Sequence, residues 1–200
     1  MTVPRRSPRL ALANAILTTK VEPEMRWTLL IASVFMLQAC QSIPEDPVKV
    51  ASPFDLNRFM GEWYVIANIP TLPEKGAHNA MERYQLVGPN KVATTFTFRK
   101  NSFNGEYKRM TPTGFVSPDN PAIWGMRFIW PFKADYRVLY VDKDYQYTVI
   151  GRQKRDYLWI MAREPQISDR QLDKLKAIAV DQGYTLENLN LVPQQPAEDR

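Results

Sequence analysis

Residues 121–162 read PAIWGMRFIWPFKADYRVLYVDKDYQYTVIGRQKRDYLWIMA, and this stretch decides the fold. Its apolar residues alternate one by one instead of recurring every third or fourth position, which is the period of a β-strand. Over 121–130, Trp124, Met126 and Phe128 share one face and Ile123, Gly125, Arg127 and Ile129 the other. Over 135–142, Tyr136, Val138 and Tyr140 oppose Arg137, Leu139 and Val141. Over 156–162, Tyr157, Trp159 and Met161 alternate with Leu158 and Ile160. Both faces carry apolar surface, so both need cover: one can line a barrel interior while part of the other lies beneath a helix.

Working outward, the same pattern predicts strands at about 61–69, 80–87, 91–99, 105–116, 121–130, 135–142, 145–151 and 156–162, separated by Gly, Pro, Asn and Asp. Short strands at such regular spacing suit a sandwich or an up-and-down barrel. Eight meandering strands can close on themselves, remove their exposed edges and enclose one small ligand. One helix follows. Ser168 can cap it with Gln171 completing a capping box, Leu172, Leu175, Ile178 and Ala179 form its apolar stripe, and Gly183 ends it. A short strand is expected near 188–192. The class is all-β with one late helix, without the alternation that a parallel α/β sheet requires.

At 200 residues and 23.2 kDa the chain suits one well-cored domain. A single Cys excludes a disulfide framework, and with a single His there is no zinc cluster. No apolar run reaches the roughly 18 to 20 residues that span a bilayer, which excludes a multi-pass helical membrane protein. The net charge of +5 is concentrated at the start of the chain, in Arg5, Arg6, Arg9, Lys20 and Arg26. The remainder is near balance and has no Lys/Arg run, so no nucleic-acid partner is expected.

Met25-Arg26-Trp27 followed by TLLIASVFMLQAC has the build of a secretory signal: a basic residue, a short apolar run and small Ala39 before Cys40. Leu37-Gln38-Ala39-Cys40 resembles the bacterial lipobox, with Gln38 departing from its usual small residue. That resemblance implies that the Cys40 thiol is lipidated and becomes the new N-terminus. Gln41-Ser42 lacks the Asp of inner-membrane retention, which favours the outer membrane, with the folded domain facing the periplasm. Residues 1–39 are thus expected to be a leader, with Met25 an alternative start. Residues 40–53, with Pro44, Pro47 and Pro53, form a lipidated tether, 54–194 the barrel domain and 195–200 a tail.

Three motifs carry a family resemblance. Phe59-Met60-Gly61-Glu62-Trp63-Tyr64 resembles the first lipocalin signature, Asp142-Lys143-Asp144-Tyr145 the second, and Arg163, before the helix, the third. Together with the lipobox and YLWIMAREPQISD they make the chain most similar to the bacterial outer-membrane lipocalins. The resemblance covers roughly residues 54–194. It implies an eight-stranded up-and-down antiparallel barrel with one C-terminal helix packed outside. It also implies structural roles for Gly61, Trp63, Asp142 and Arg163, the guanidinium packing over the Trp63 indole.

Little else points to chemistry. His78 stands in a loop segment, where a solvated role is expected, and a haem or metal site would need it inside the cavity. No catalytic Gly-x-Ser-x-Gly, His-Glu-x-x-His or phosphate-cradling loop is present. The predicted inward faces offer only tyrosines as titratable groups, and Cys40 is expected outside the barrel. No catalytic residue, cofactor or metal is therefore expected. The cavity wall is expected to contain Phe96, Phe98, Trp124, Met126, Phe128, Tyr136, Val138 and Tyr140, an assignment resting on strand parity that a single bulge would flip. Arg83, Arg127, Arg137 and Arg152 are candidates for an anionic head group near the mouth. The expected function is binding, storage or transport of a hydrophobic ligand, with fatty acids and lysophospholipids implied by the resemblance. A filled structural barrel and a lipid-modifying enzyme are the alternatives. Whether the protein forms a homodimer is left open.

Overall fold

The alternating stretches pair into one closed antiparallel sheet. A computed structural model describes residues 46–196, so the leader, Cys40, the first part of the tether and residues 197–200 lie outside the described residues. The strands are β1 (Gly61–Ile69), β2 (Ala77–Gly88), β3 (Lys91–Lys100), β4 (Tyr107–Met110), β5 (Thr113–Val116), β6 (Ile123–Arg127), β7 (Ala134–Val141), β8 (Tyr147–Gly151), β9 (Leu158–Ala162) and β10 (Asn190–Leu191). The strands pair in the order β1-β2-β3-β5-β6-β7-β8-β9, and β1 also pairs with β9, which closes the barrel.

One predicted strand, 105–116, is two. β4 and β5 both pair with β3, Met110 opposite Phe96 and Gly114 opposite Val92, and Thr111-Pro112 separates them. Proline has no N–H for the ladder, so the strand breaks where Pro112 falls. The two halves occupy one barrel position, which leaves eight positions round the barrel and β10 added outside on Ala67 and Asn68 of β1. The predicted strand 121–130 is also shorter: β6 ends at Arg127, and residues 128–133 form the connection to β7.

Two apolar clusters follow from the two-faced strands. Inside the barrel lie Trp63, Val65, Tyr84, Val92, Phe96, Trp124, Met126, Trp159 and Met161, among others. Outside, Leu139, Val149, Leu158 and Ile160 pack beneath helix α2 (Asp169–Asp181), which presents Leu172, Leu175 and Ala179 to them. A short helix α1 (Leu56–Phe59) precedes β1. The caps follow their side chains. Asp55 accepts from the amides of Asn57 and Arg58 at the start of α1, and Ser168 accepts from Gln171 N at the start of α2. Gly183 follows α2 at φ +84°.

Residues 46–53, in the stretch expected to be a tether, lie against the barrel. Val48 is buried with the α2 cluster, Ala51 N donates to Val138 O, and the Asp46 carbonyl accepts from Gln153 and Arg155.

The end of the barrel where β1 begins is closed by stacked side chains. Arg163 lies with its guanidinium 3.8 Å from the Trp63 ring centroid. It donates to the carbonyls of Glu62, Met60, Arg58, Phe59 and Tyr145. Trp63 Nε1 in turn donates to Phe59 O at 2.8 Å. Asp142 organises the β7–β8 turn at the same end, accepting from the amides of Asp144, Gln146 and Tyr147. Gly61 sits at φ +99°, and a Cβ there would stand 3.1 Å from Arg163 Nη1. Gly61→Ala is therefore expected to lower stability by about 1–3 kcal/mol, from the left-handed backbone and the crowded guanidinium together, measured as the shift of the thermal unfolding curve.

Candidate functional site

Above that closed end the barrel holds an aromatic plug. The Phe59 ring lies 5.0 Å from Trp63 and 5.5 Å from Tyr84, Tyr84 meets Trp124 edge-on at 5.5 Å, and Trp124 stacks on Tyr136 at 5.2 Å. Beyond the plug a cavity of about 630 Å³ runs to the other end, within the size range of small-molecule sites. Its wall includes Thr94, Phe96, Met110, Met126, Ala134, Tyr136, Tyr157 and Trp159, and its mouth Thr71, Pro73, Phe128, Ile129 and Arg152. The mouth residues come from the connections β1–β2 (70–76), β6–β7 (128–133) and β8–β9 (152–157), which all emerge at this end. Leu72, Ile129, Trp130 and Phe132 of the same rim are exposed.

The wall is mostly apolar, and buried carboxylates stand out in it. Glu82 of β2 and Glu74 of the β1–β2 connection are both buried and both line the cavity. Glu74 accepts from Thr71 Oγ1 at 2.6 Å, Trp159 Nε1 at 2.8 Å and Asn68 Nδ2 at 3.3 Å. Glu82 accepts from the Tyr84 hydroxyl, which also shares a hydrogen bond with the Tyr136 hydroxyl. Loss of hydration pushes the Glu82 carboxyl up to about 8, with the nearby Glu74 charge adding to the effect. Burial also raises Glu74, opposed by its hydrogen bonds, and raises Tyr136 well above the ordinary phenol range. The Arg152 guanidinium at the mouth pairs with Asp156 at 3.1 Å, and Arg137 beside it pairs with Asp135 at 3.0 Å.

The residues singled out in the sequence divide into several groups. Phe96, Met126 and Tyr136 line the cavity as parity placed them. Trp124 belongs to the plug beneath it, and Phe98 and Val138 are buried in the barrel core without lining it. Phe128 lines the mouth but stands beyond the end of β6 and is 57% exposed, so it is a rim residue and not part of the strand wall.

Tyr140 is a correction. A bulge between Val138 and Tyr140 in β7 leaves Leu139 as the additional residue, so parity flips and Tyr140 packs outside with the α2 cluster. A second bulge, between Val65 and Ala67 in β1, does the same there: Ile66, Ala67 and Ile69 join the outer cluster. His78 is a further correction. It stands in β2 rather than in a loop, with Nδ1 3.1 Å from Gly76 O and its ring edge-on to Phe103.

Sequence reasoning missed the two carboxylates, having found only tyrosines facing inward. Glu82 had a signal, since it shares strand parity with Ala80, Tyr84 and Leu86, all of which join the inner cluster. Glu74 had none: a connection folds it over the cavity. Of the four arginines, Arg152 lines the mouth, whereas Arg83 pairs with Glu62 on the exposed surface, Arg127 lies over the Phe115 ring and Arg137 is held by Asp135. A second, more polar depression of about 790 Å³ lies between the β1–β2 connection and residues 187–193. It lacks the aromatic wall that an apolar ligand needs. Among the described residues no group of three or more His, Cys, Asp or Glu could hold a metal ion.

The sequence model of the lipocalin-like domain family matches residues 54–194. The outer membrane lipoprotein Blc of Escherichia coli is 30% identical over 179 residues, covering 86% of this chain and 99% of that one. The temperature-induced lipocalin-1 of Arabidopsis thaliana is 30% identical over 164 residues, covering 74% and 83%. Among solved structures, insecticyanin from Manduca sexta superposes with a TM-score of 0.58 at 16% identity, covering 74% of this chain and 84% of that one, a likeness of fold alone.

Proposed function

The chain belongs to the lipocalin family, and from that premise we propose that it binds a single-chain amphiphile in its barrel, for storage or transport at the cell envelope. The observation that carries this reading is the cavity of about 630 Å³, walled by Phe96, Met126, Tyr157 and Trp159 above a solid aromatic plug. An apolar chain laid along such a wall gains about 0.8 kcal/mol for each methylene removed from water, and the cost of immobilisation leaves affinities in the micromolar range. The size of the cavity weighs against a filled structural barrel. Fatty acids and lysophospholipids remain the candidate ligands from the resemblance.

Anchoring through a lipidated Cys40, in the outer membrane and facing the periplasm, is supported by the lipobox-like Leu37–Cys40 and by bacterial relatives named as outer membrane lipoproteins. The exposed Leu72, Ile129, Trp130 and Phe132 at the barrel mouth suit uptake from a lipid surface. A binding role is favoured over catalysis, and no cofactor enters the proposal.

The test is native mass spectrometry of the protein purified from a bacterial host and incubated with acyl lipids. One lipid bound per chain is expected, and lost in Ala134→Trp, which fills the cavity from a wall position, while the melting curve stays that of a folded protein. A chain that stays bare after incubation would favour the filled-barrel scaffold.

A further inference from the structure

We propose that the acidic interior of this cavity is a recognition site for an ammonium group, so that the preferred ligand is a long-chain amine inserted charge-first, formed around Glu82, Glu74 and the hydroxyl of Thr94. The inference rests on the cavity being a ligand site and narrows the class of amphiphile away from carboxylates.

Three observations carry it. First, two carboxylates line one enclosed space, and among the described residues no Lys, Arg or His forms an ion pair with either. Near the mouth the pairs Arg152–Asp156 and Arg137–Asp135 neutralise their own charges, whereas Glu74 and Glu82 have only neutral donors. Second, Thr94 lines the same cavity, is only 3% exposed, and its Oγ1 has no hydrogen-bond partner. A buried hydroxyl without a partner is costly, and native structures leave few of them. Third, the Glu82–Tyr84–Tyr136 chain of hydrogen bonds is braced by the ring contacts of Tyr84 and Tyr136 with Trp124, so this polar chain is held rigidly beside the apolar wall.

An ammonium brings one positive charge and three N–H donors, while a carboxylate brings only acceptors. The ammonium favours the ionised form of Glu82, which burial otherwise holds protonated at neutral pH, and its remaining N–H groups match the unmet acceptor at Thr94 Oγ1. A bound carboxylate would instead find no unpaired cation in the cavity among the described residues, and burying its charge beside two desolvated acids is strongly unfavourable. An alcohol supplies the donor without the charge and separates the two effects.

The experiment is displacement of the neutral fluorophore N-phenylnaphthylamine from the purified full chain by decylamine, decanol and decanoate at neutral pH. Decylamine is expected to bind at least about tenfold more tightly than decanol, and decanoate more weakly than both, a margin that one charge-assisted hydrogen bond supplies. Glu82→Gln keeps an acceptor for Tyr84 and should bring decylamine and decanol to within about twofold. Thr94→Val, which relieves an unpartnered hydroxyl and so should fold at least as stably, should weaken decylamine several-fold and leave decanoate unchanged. Decanoate binding as tightly as decylamine, or an amine preference surviving in both variants, would overturn the proposal while leaving the cavity as an apolar ligand site. Failure of the fluorophore and of all three chains to bind would overturn the ligand-binding reading and this proposal with it.

Discussion

Arg163→Ala is expected to destabilise the barrel by about 3–5 kcal/mol, lowering the melting temperature by roughly ten degrees or more. The guanidinium covers the face of Trp63 at 3.8 Å and donates to five carbonyls from Arg58, Phe59, Met60, Glu62 and Tyr145. Those carbonyls belong to the chain entering β1 and to the β7–β8 turn, so one side chain ties the opening of the barrel sequence to its later half. Arg163 is partly exposed, and water will satisfy some of the orphaned carbonyls, which keeps the loss below a full sum of charged hydrogen bonds. Arg163→Lys should recover less than half of the loss, because an ammonium lacks both the planar stack and the forked donors. The cavity lies beyond the Phe59–Tyr84–Trp124 plug, so ligand affinity below the melting point should be unchanged. An unaltered unfolding curve in the alanine variant would refute the structural assignment of this residue. A large loss of ligand affinity at full stability would refute its separation from the cavity.

The stability of the protein should fall as pH rises between about 5 and 8, and Glu82→Gln should flatten most of that slope. Burial and the Glu74 charge raise the folded-state Glu82 carboxyl to about 8 from its ordinary 4.5. Below the ordinary value both folded and unfolded chains hold the proton, and the acid contributes no pH dependence. Above it the unfolded chain releases the proton while the folded chain retains it, so folding becomes progressively less favourable until the folded carboxyl also ionises. Each unit of difference is worth about 1.4 kcal/mol, which puts the loss on the order of a few kcal/mol across the window. Glu74 is raised for the same reason and leaves a residual slope of the same sign. Urea unfolding across this range measures it. Wild-type stability that stays level or climbs towards pH 8 would show that Glu82 is not held as a buried acid. An equally steep slope in Glu82→Gln would move the cause to another group.

Much of the barrel is legible from local pattern, because an inward-facing strand residue and its outward-facing neighbours must differ in what covers them. The alternation Tyr157, Trp159, Met161 against Leu158, Ile160 survives intact, with one set inside the barrel and the other beneath α2. The closed end was legible for a different reason. Gly61, Trp63, Asp142 and Arg163 stand in motifs that resemble the lipocalin signatures, and that resemblance implies the guanidinium-on-indole closure.

The cavity was legible only in part, and the misses have one physical source. Parity carries a side chain to the correct face only while the ladder keeps its register, and the bulge after Val138 turned Tyr140 outwards. Pro112 and the early end of β6 altered the extent of two strands, which made Phe128 a rim residue. Glu74 reached the cavity from a connection whose path no local period encodes.

By itself the sequence determined the all-β class, the order of the strands and the late capped helix, since each depends on residues close in the chain or on a local period, and the motif residues of the closed end through their resemblance to the lipocalin signatures. Only the tertiary structure decided which side chains bound the hollow, that Glu74 and Glu82 share it, and that no cationic side chain among the described residues pairs with either. Those properties arise when distant segments exclude water from a common space, and the resulting desolvation of a carboxylate has no counterpart in any local stretch of sequence.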